Sequence, residues 1–151
     1  MAIGPLGGAD MKDREANDLR SRILDEMTVD YASALEKNFN LAKQFIRVTT
    51  DGRVEVLVKE RVPQKEQILL YLVGKLYARE AGLAASAQVS NAELMEELGM
   101  PKGSVLPALK ELRDANRIER SKSGRTVYHS VAVSMVERAV RMVEDRLTKG
   151  G

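Results

Sequence analysis

A chain of 151 residues can form one compact domain, or one small domain with an attached element, but it is too short for two large domains. Its 44% hydrophobic and 30% charged residues are typical of a soluble globular protein, and the lack of cysteine excludes disulfides, thiolate metal sites and thiol catalysis. The net charge of +2 is only weakly basic, so the distribution of charge matters more than its sum. No apolar run approaches the roughly twenty residues that span a bilayer, so we expect a cytoplasmic protein without membrane contact.

The N-terminal stretch predicts a disordered leader followed by a helix. Residues 1–9 contain three glycines and one proline, which favour a chain without regular structure. From Asp10 to about Met27, apolar residues recur at helical spacing among charged ones, which predicts a largely solvated helix. Its apolar stripe consists of Leu19, Ile23 and Met27.

A second helix and a hairpin are predicted next. The helix would start at Thr28 or Asp30, because both side chains can cap free backbone amides, and Asp51-Gly52 is a typical hairpin turn. A two-stranded hairpin is marginal alone, so its valine face must pack on the following domain, on the N-terminal helix or on a second copy. The side chains predicted to be buried are Tyr31, Leu35, Asn38, Ala42 and Phe45 in the helix, and Ile46, Val48, Val54, Val56 and Val58 in the hairpin.

The following helix is predicted to be a core helix. It runs from Gln64 to Ala81 after Pro63, and Gly82 can adopt the left-handed backbone conformation that ends a helix. A wide apolar stripe predicts burial along much of its length. The stripe consists of Ile68, Leu69, Leu72, Val73, Leu76 and Tyr77.

Two shorter helices are predicted between Ser90 and about Asn116. Ser90 and Glu93 have the spacing of a capping box, in which the hydroxyl and the carboxylate each accept a hydrogen bond from a free backbone amide. Gly99 ends the first of these helices, and a short turn leads to the second. The buried positions are Leu94 and Leu98 in the first helix and Val105, Leu109 and Leu112 in the second.

A basic hairpin follows the helix pair. Ile118 to Arg120 and Thr126 to Val131 predict two strands around a Ser121-Lys122-Ser123-Gly124 turn. A cationic loop of this kind suits phosphate contact, because each neutralised phosphate releases counterions; the alternative is a solvated turn that keeps a strand edge soluble. The local net charge of +3 comes from Arg117, Arg120, Lys122 and Arg125 against Glu119.

The run VSNAELMEELGMPKGSVLPALKELRDANRIERSKSGRTVYHS resembles a winged helix-turn-helix domain of the kind common in bacterial and archaeal regulators. The resemblance implies that the second helix of the pair is presented to the major groove and that the hairpin, or wing, touches the backbone or minor groove. The expected fold class is mainly α with small β-hairpins (α+β). A winged domain with a C-terminal helix (63–147) follows N-terminal helices and an extra hairpin (10–62) and precedes a tail (148–151).

The presented helix is poor in base-reading side chains, so we expect modest sequence specificity. Pro107 is tolerated only in a first helical turn, which predicts that the helix starts near Ser104. Base readout favours Arg, Lys, Asn and Gln, and Glu93, Glu96 and Glu97 of the preceding helix would repel phosphates that they faced. The candidate nucleic-acid-binding residues are Lys102, Ser104, Lys110, Arg113, Arg117, Arg120, Lys122 and Arg125.

Motifs of catalysis are missing from the sequence. It contains no Gly-rich phosphate loop before a helix, no His-Glu-x-x-His pattern and no nucleophile elbow. His129 has no carboxylate or second histidine near it in sequence and is interpreted as a structural residue, and Tyr128 is expected to pack under the wing. We therefore predict a protein that is not an enzyme, with no catalytic residue, metal or cofactor.

The ends of the chain predict an assembly. A last helix from Ser134 to Leu147 carries more apolar surface than a small winged core can hide, and contiguous apolar patches mark interfaces. We expect a homodimer through the N- and C-terminal helices, with an isolated core (63–131) that is monomeric. The apolar residues concerned are Val136, Ala139, Val140, Val143 and Leu147, together with Leu35, Phe39 and Phe45.

Two functions are compatible with the sequence. The basic wing favours binding of double-stranded DNA by a dimeric transcription regulator or chromatin-associated factor. The acidic helix and the weak presented helix favour the alternative, a winged-helix module that contacts a protein or RNA within a larger assembly.

Overall fold

The computed structural model describes residues 10–28 and 33–150, in two compact units, Met1–Asp30 and Tyr31–Gly151. In the first unit, helix α1 spans Asp10–Arg22 and continues as a π-helical turn over Ile23–Met27. The helical stretch thus covers the range that was predicted, and the π-helical turn at its end was not expected. Its apolar side chains are exposed, from 41% at Ile23 to 76% at Met27. The predicted leader (1–9) lies outside the described residues.

Thr28, one of the two residues predicted to start the second helix, is hydrogen-bonded to the preceding turn. The Thr28 hydroxyl donates a hydrogen bond to the Ile23 carbonyl (2.9 Å), so Thr28 closes α1. Asp30, the other predicted cap, and Tyr31 lie outside the described residues.

Two short helices, α2 (Ala34–Lys37) and α3 (Phe39–Ala42), replace the single helix that was predicted. They meet at Asn38, whose amide Nδ2 donates a hydrogen bond to the Ala34 carbonyl (2.8 Å), and such local bonds compete with a regular helix. The predicted buried face is nevertheless confirmed for Leu35, Asn38, Ala42 and Phe45.

The first hairpin packs on the helix that follows it. Strands β1 (Ile46–Val48) and β2 (Val54–Val56) are antiparallel, and a 3-10 turn at Lys59–Arg61 leads to helix α4 (Gln64–Glu80). A Cβ atom at Gly74 of α4 would overlap the side chains of Val54 and Ile46, so the missing side chain allows the close approach. The valine face was predicted to pack on the following domain, on the N-terminal helix or on a second copy. It packs on α4, the first helix of the following domain.

Helix α4 is the central element of the second unit. It begins after Pro63, and Gly82 adopts a φ of +75° beyond its end, as predicted. The hairpin, both helices of the pair and the last helix contact it, which buries it nearly all round. The buried residues of α4 are Glu66, Ile68, Leu69, Leu70, Tyr71, Leu72, Val73, Gly74, Leu76 and Ala78.

The predicted helix pair is present as α5 (Asn91–Leu98) and α6 (Lys102–Asp114), with Gly99 at a φ of +65° between them. Helix α6 begins after Pro101, so the predicted start at Ser104 is wrong and Pro107 lies inside the helix. This costs the hydrogen bond that residue 107 would donate to the preceding turn. Leu94, Leu98, Val105, Leu109 and Leu112 are buried as predicted.

A three-stranded antiparallel sheet adjoins the helix pair in the order β3-β5-β4, with β3 at Val89–Ser90, β4 at Glu119–Ser123 and β5 at Thr126–Ser130. Ser123 pairs with Thr126, so the turn consists of Gly124 and Arg125 alone. The predicted four-residue turn, Ser121 to Gly124, therefore began three residues too early, because glycine at the first central position with a positive φ (+62°) suits a two-residue hairpin. The mixture of helices and small sheets confirms the α+β class.

The last helix fills the core of its own chain. A 3-10 turn (Val133–Met135) precedes helix α7 (Val136–Gly150), whose residues Val136, Val140 and Val143 are fully buried. The Arg146 guanidinium Nε lies 2.6 and 2.8 Å from the two carboxylate oxygens of Glu66, a buried residue of α4. The argument for a dimer from unhidden apolar surface on this helix was therefore wrong. No helix in the described residues is both long and apolar enough to cross a membrane.

Candidate nucleic-acid interface

Helix α6 and strand β4 bring two of the predicted cations to one place. Arg113 of α6 and Arg120 of β4 both act electrostatically on His129 of β5, and Arg120 is its direct cross-strand neighbour. Arg113 at the end of α6 and Arg120 at the base of the β4–β5 hairpin, here called the wing, therefore both lie near His129. One of these cations was predicted from a helix and the other from a hairpin, and both lie beside the same histidine.

The wing carries further cations beyond Arg120. Lys122 lies two residues beyond Arg120, and because side chains alternate along a strand the two share a face. Arg125 occupies the turn, and every residue of β4 is exposed. A Cβ atom at Gly124 would meet no heavy atom within 4 Å, so the tip stands free of the described parts of the chain.

The start of α6 contributes less charge than its sequence indicates. Lys102 is exposed in the first helical position, and Ser104 is half-buried. The Lys110 ammonium lies 2.8 Å from the Asp114 carboxylate, which holds the pKa of that carboxyl below its usual range. The neighbouring carboxylate reduces the attraction of Lys110 for a phosphate, although the ammonium keeps further donors free.

Arg117 lies in the connection before the wing and is half-buried. It lines a surface groove beside α7, together with Ser134, Arg138 and Arg141. The connection between α6 and β4 turns the chain here, and Asn116 adopts a positive φ of 57°.

The acidic side of α5 is largely engaged within the protein. The Glu93 carboxylate accepts a hydrogen bond from the Tyr71 hydroxyl (2.5 Å) and lies 3.3 Å from the Lys75 ammonium, and Glu97 accepts one from Arg53 (3.2 Å). Burial and the carboxylate raise the pKa of the Tyr71 hydroxyl. These contacts direct two of the three acidic groups toward α4 and the first hairpin, which weakens the predicted repulsion of phosphates.

These contacts also correct the capping box. The Ser90 hydroxyl accepts a hydrogen bond from the backbone amide of Glu93 (3.1 Å), so the first half of the motif is confirmed. The Glu93 carboxylate binds the α4 side chains instead of completing the second half. A tertiary partner has replaced a local one, which sequence spacing does not reveal.

His129 is a structural residue, as expected. It is 2% exposed, and its ring Nε2 lies 2.6 Å from the Asn91 side-chain oxygen at the start of α5. Burial first, and then the charges of Arg113 and Arg120, lower its pKa to about 4. The neutral imidazole donates a hydrogen bond to Asn91 and fastens the base of the wing to α5. No pattern in the sequence indicated Asn91 as its partner.

Comparison with known proteins found no relative. No family model matches the chain. No curated protein and no solved structure matches it either.

The charged residues of this surface indicate what it can bind. Arg120, Lys122 and Arg125 are exposed and Arg113 is half-buried, and such a set of charged donors is the arrangement by which proteins bind a polyanion. Among the described residues, no group of three or more His, Asp or Glu side chains could hold a metal ion.

Proposed function

We propose that this protein is a winged-helix protein that binds double-stranded DNA with modest sequence specificity, as a transcription regulator or chromatin-associated factor. The order of elements supports the winged assignment: helix α4, strand β3, helices α5 and α6, and then the β4–β5 hairpin. The pairing of β3 with β5 also supports it, since it ties the strand before the helix pair to the wing.

One observation carries the DNA-binding proposal. The exposed wing bears Arg120, Lys122 and Arg125, and its base adjoins Arg113 at the end of the helix that a winged domain presents to the major groove. The attachment through His129 and Asn91 holds the wing to α5, which in turn packs on α6, and would keep the wing at a fixed angle to both helices. Phosphate contact from the wing would then place α6 in the groove.

Modest specificity follows from what α6 exposes. Leu106, 40% exposed, and Pro107 lie on its outer side, and Lys110 is held by Asp114. Base readout needs donors and acceptors, so most of the affinity would come from the sequence-independent phosphate contacts.

The salt dependence of DNA binding tests the proposal. We expect a variant with Arg120, Lys122 and Arg125 all changed to Ala to bind random duplex DNA more weakly. The slope of log affinity against log salt should fall by about 2 to 3, because each phosphate contact contributes about 0.9. Fluorescence anisotropy over a salt series measures this.

A matched control separates wing contacts from net charge. A variant with Lys37, Arg61 and Arg79 changed to Ala loses three exposed cations elsewhere in the same unit and should keep the wild-type slope. Equal losses in both triple variants would rule out the wing as the binding element. No binding of wild-type protein at low salt would reject DNA binding itself.

A protein-docking module is a second candidate, favoured by the exposed apolar side chains of Leu106 and Pro107 on α6. In that case Leu106→Glu should abolish binding to a partner protein while the wing variant has no effect. Binding of RNA through the wing is a third outcome, which competition between duplex DNA and RNA would reveal.

The homodimer stays a prediction, with a narrower basis. Because α7 is buried within its own chain, the large apolar side chains left exposed for a second copy are chiefly those of α1, with Leu19 and Leu24 each 56% exposed. Sedimentation equilibrium of the full chain and of Leu19→Ser/Leu24→Ser should show a dimer and a monomer, respectively. A monomeric wild-type chain would reject the dimer.

A further inference from the structure

An apolar groove lies on the second unit away from the residues proposed to bind DNA. Its volume is about 460 Å³, within the range of sites that hold small organic molecules. It lies between α3, strand β1 and the last turn of α4. Its apolar lining consists of Phe39, Ala42, Ile46, Val48, Tyr77 and Ala81.

Aromatic side chains form one part of this lining and remain accessible. Phe39 is 49% exposed, although large apolar side chains are usually covered, and its ring centroid lies 6.4 Å from that of Tyr77. The Tyr77 hydroxyl already donates a hydrogen bond to the Leu35 carbonyl (2.6 Å), and burial raises the pKa of Tyr77 to about 12. Tyr77 therefore offers a ligand its ring, and polar recognition must come from other groups.

Charged side chains at the groove determine what else a ligand needs. Lys43, Arg47 and Glu80 line it, and all three are exposed. In the described part of the chain, neither Lys43 nor Arg47 forms an ion pair; Lys43 lies 5.2 Å from the Phe39 ring centroid, and Arg47 faces Glu55 across the hairpin. Two cations against one lining carboxylate favour a negatively charged group over a positive one.

We propose that this groove binds a small amphipathic carboxylate, with an aliphatic chain or aromatic ring against Phe39 and Tyr77 and the carboxylate near Lys43 and Arg47. A ligand of this kind matches both the apolar lining and the excess positive charge. The proposal does not depend on DNA binding, because none of the residues that carry it belongs to α6 or the wing.

Displacement of a fluorescent probe tests the proposal on the full chain. Anilinonaphthalene sulfonate is an aromatic anion, and the chain has no tryptophan to interfere with its emission. Decanoate should displace it saturably, whereas decanol and decylamine, which have the same carbon chain, should displace it more weakly. Decylamine that competes as well as decanoate, or no saturable binding of any probe, would overturn the assignment.

Substitutions locate the binding. Ala81→Phe should fill the groove and lower decanoate affinity at least tenfold, whereas Ala115→Phe, at the equivalent C-cap position of α6, should leave it unchanged. Lys43→Gln and Arg47→Gln should each weaken decanoate binding about fivefold without affecting decanol, since exposed ion pairs contribute up to about 1 kcal/mol. Arg61→Gln is the matched control.

Two results would reject the site. The first is decanoate binding that survives Ala81→Phe unchanged. The second is a dimer of the wild-type chain that Ala81→Phe dissociates while no ligand binds, which would identify a second copy as the occupant of the groove. Circular dichroism of each variant checks that it is folded.

Discussion

The two hairpins of this protein use the same chain geometry for different purposes. In the first, β1–β2, the turn glycine Gly52 is buried, and a Cβ atom there would overlap the Leu83 carbonyl oxygen. In the wing, β4–β5, the turn glycine Gly124 is exposed, and a Cβ atom would meet nothing within 4 Å. Both glycines have positive φ angles, so what separates them is the surroundings of each turn.

The difference shows how an element can be recognised as functional or structural. A hairpin that is packed along one face and at its turn contributes to the core, whereas one that is held only at its base presents its side chains to a partner. Charge follows the same division: Ile46 and Val54 face α4 in the first hairpin, and Lys122 and Arg125 face solvent in the wing.

The largest effect is expected where a methyl group is added to the first turn. Gly52→Ala meets both a forbidden backbone conformation and the backbone of Leu83, so it should destabilise the protein by about 4 kcal/mol. Gly124→Ala meets the backbone penalty alone, and should cost about 1 kcal/mol. Urea unfolding followed by circular dichroism measures both, and equal losses would erase the distinction between the hairpins.

The base of the wing should respond to pH more strongly than its tip. The pKa of His129 falls from 6.5 to about 4 on folding, so the unfolded chain binds a proton first as the pH drops. Stability should therefore decline between about pH 6.5 and pH 4, by on the order of 3 kcal/mol, and this contribution should level off below pH 4.

The histidine can be followed directly, because the chain contains no other. Its imidazole resonances should titrate near pH 4 in the folded protein, and His129→Gln should remove its share of the pH dependence measured by urea unfolding. A titration near pH 6.5 in the folded state would show that the wing base is open to water.

A smaller loss is expected where the first hairpin meets α4. Gly74→Ala would press against Val54 and Ile46, whose side chains can move slightly, so about 2 kcal/mol of stability should be lost. In a double-mutant cycle, Val54→Ala should cost less stability in the Gly74→Ala background than in the wild type, because it removes the overlapping methyl groups. Additive losses would mean that the hairpin and α4 do not touch through these residues.

The smallest effect is expected for the ion pair that links the first hairpin to α5. Arg53 and Glu97 form an ion pair at 3.2 Å, but the Arg53 side chain is 66% exposed and solvent screens the interaction. A double-mutant cycle with Arg53→Ala and Glu97→Ala should give a coupling energy close to zero at high salt. A strong, salt-independent coupling would show that this contact helps to fix the first hairpin.

Local signals allowed much of the second unit to be predicted, because each depended on neighbours in sequence. Gly82 and Gly99 end helices where expected, and the alternation around Gly52 placed the first hairpin. The break in the helix at Asn38 was missed. The hydrogen bond from its side-chain amide to the Ala34 carbonyl cannot be inferred from the sequence, because asparagine also occurs within regular helices.

Tertiary contacts account for what the sequence could not supply. The valines of α7 looked like an interface because their cover comes from residues about seventy positions earlier, on α4. Of the candidate site, the wing cations were predictable from charge in a loop. Three features depend instead on the path of the chain in space: Arg113 and Arg120 both lie near His129, Arg117 lines a groove beside α7, and Lys110 pairs with Asp114.

The position of Arg146 has a consequence for how the chain is made. Glu66 is a buried residue of α4, and the guanidinium that neutralises it belongs to Arg146, 80 positions later in the chain. A nascent chain that has not yet reached Arg146 holds a carboxylate that is costly to bury unpaired, so the space for α7 should stay open until that helix emerges. Folding of this unit is thereby linked to synthesis as far as Arg146, and chains that stop before Arg146 should be degraded in preference to chains that include it.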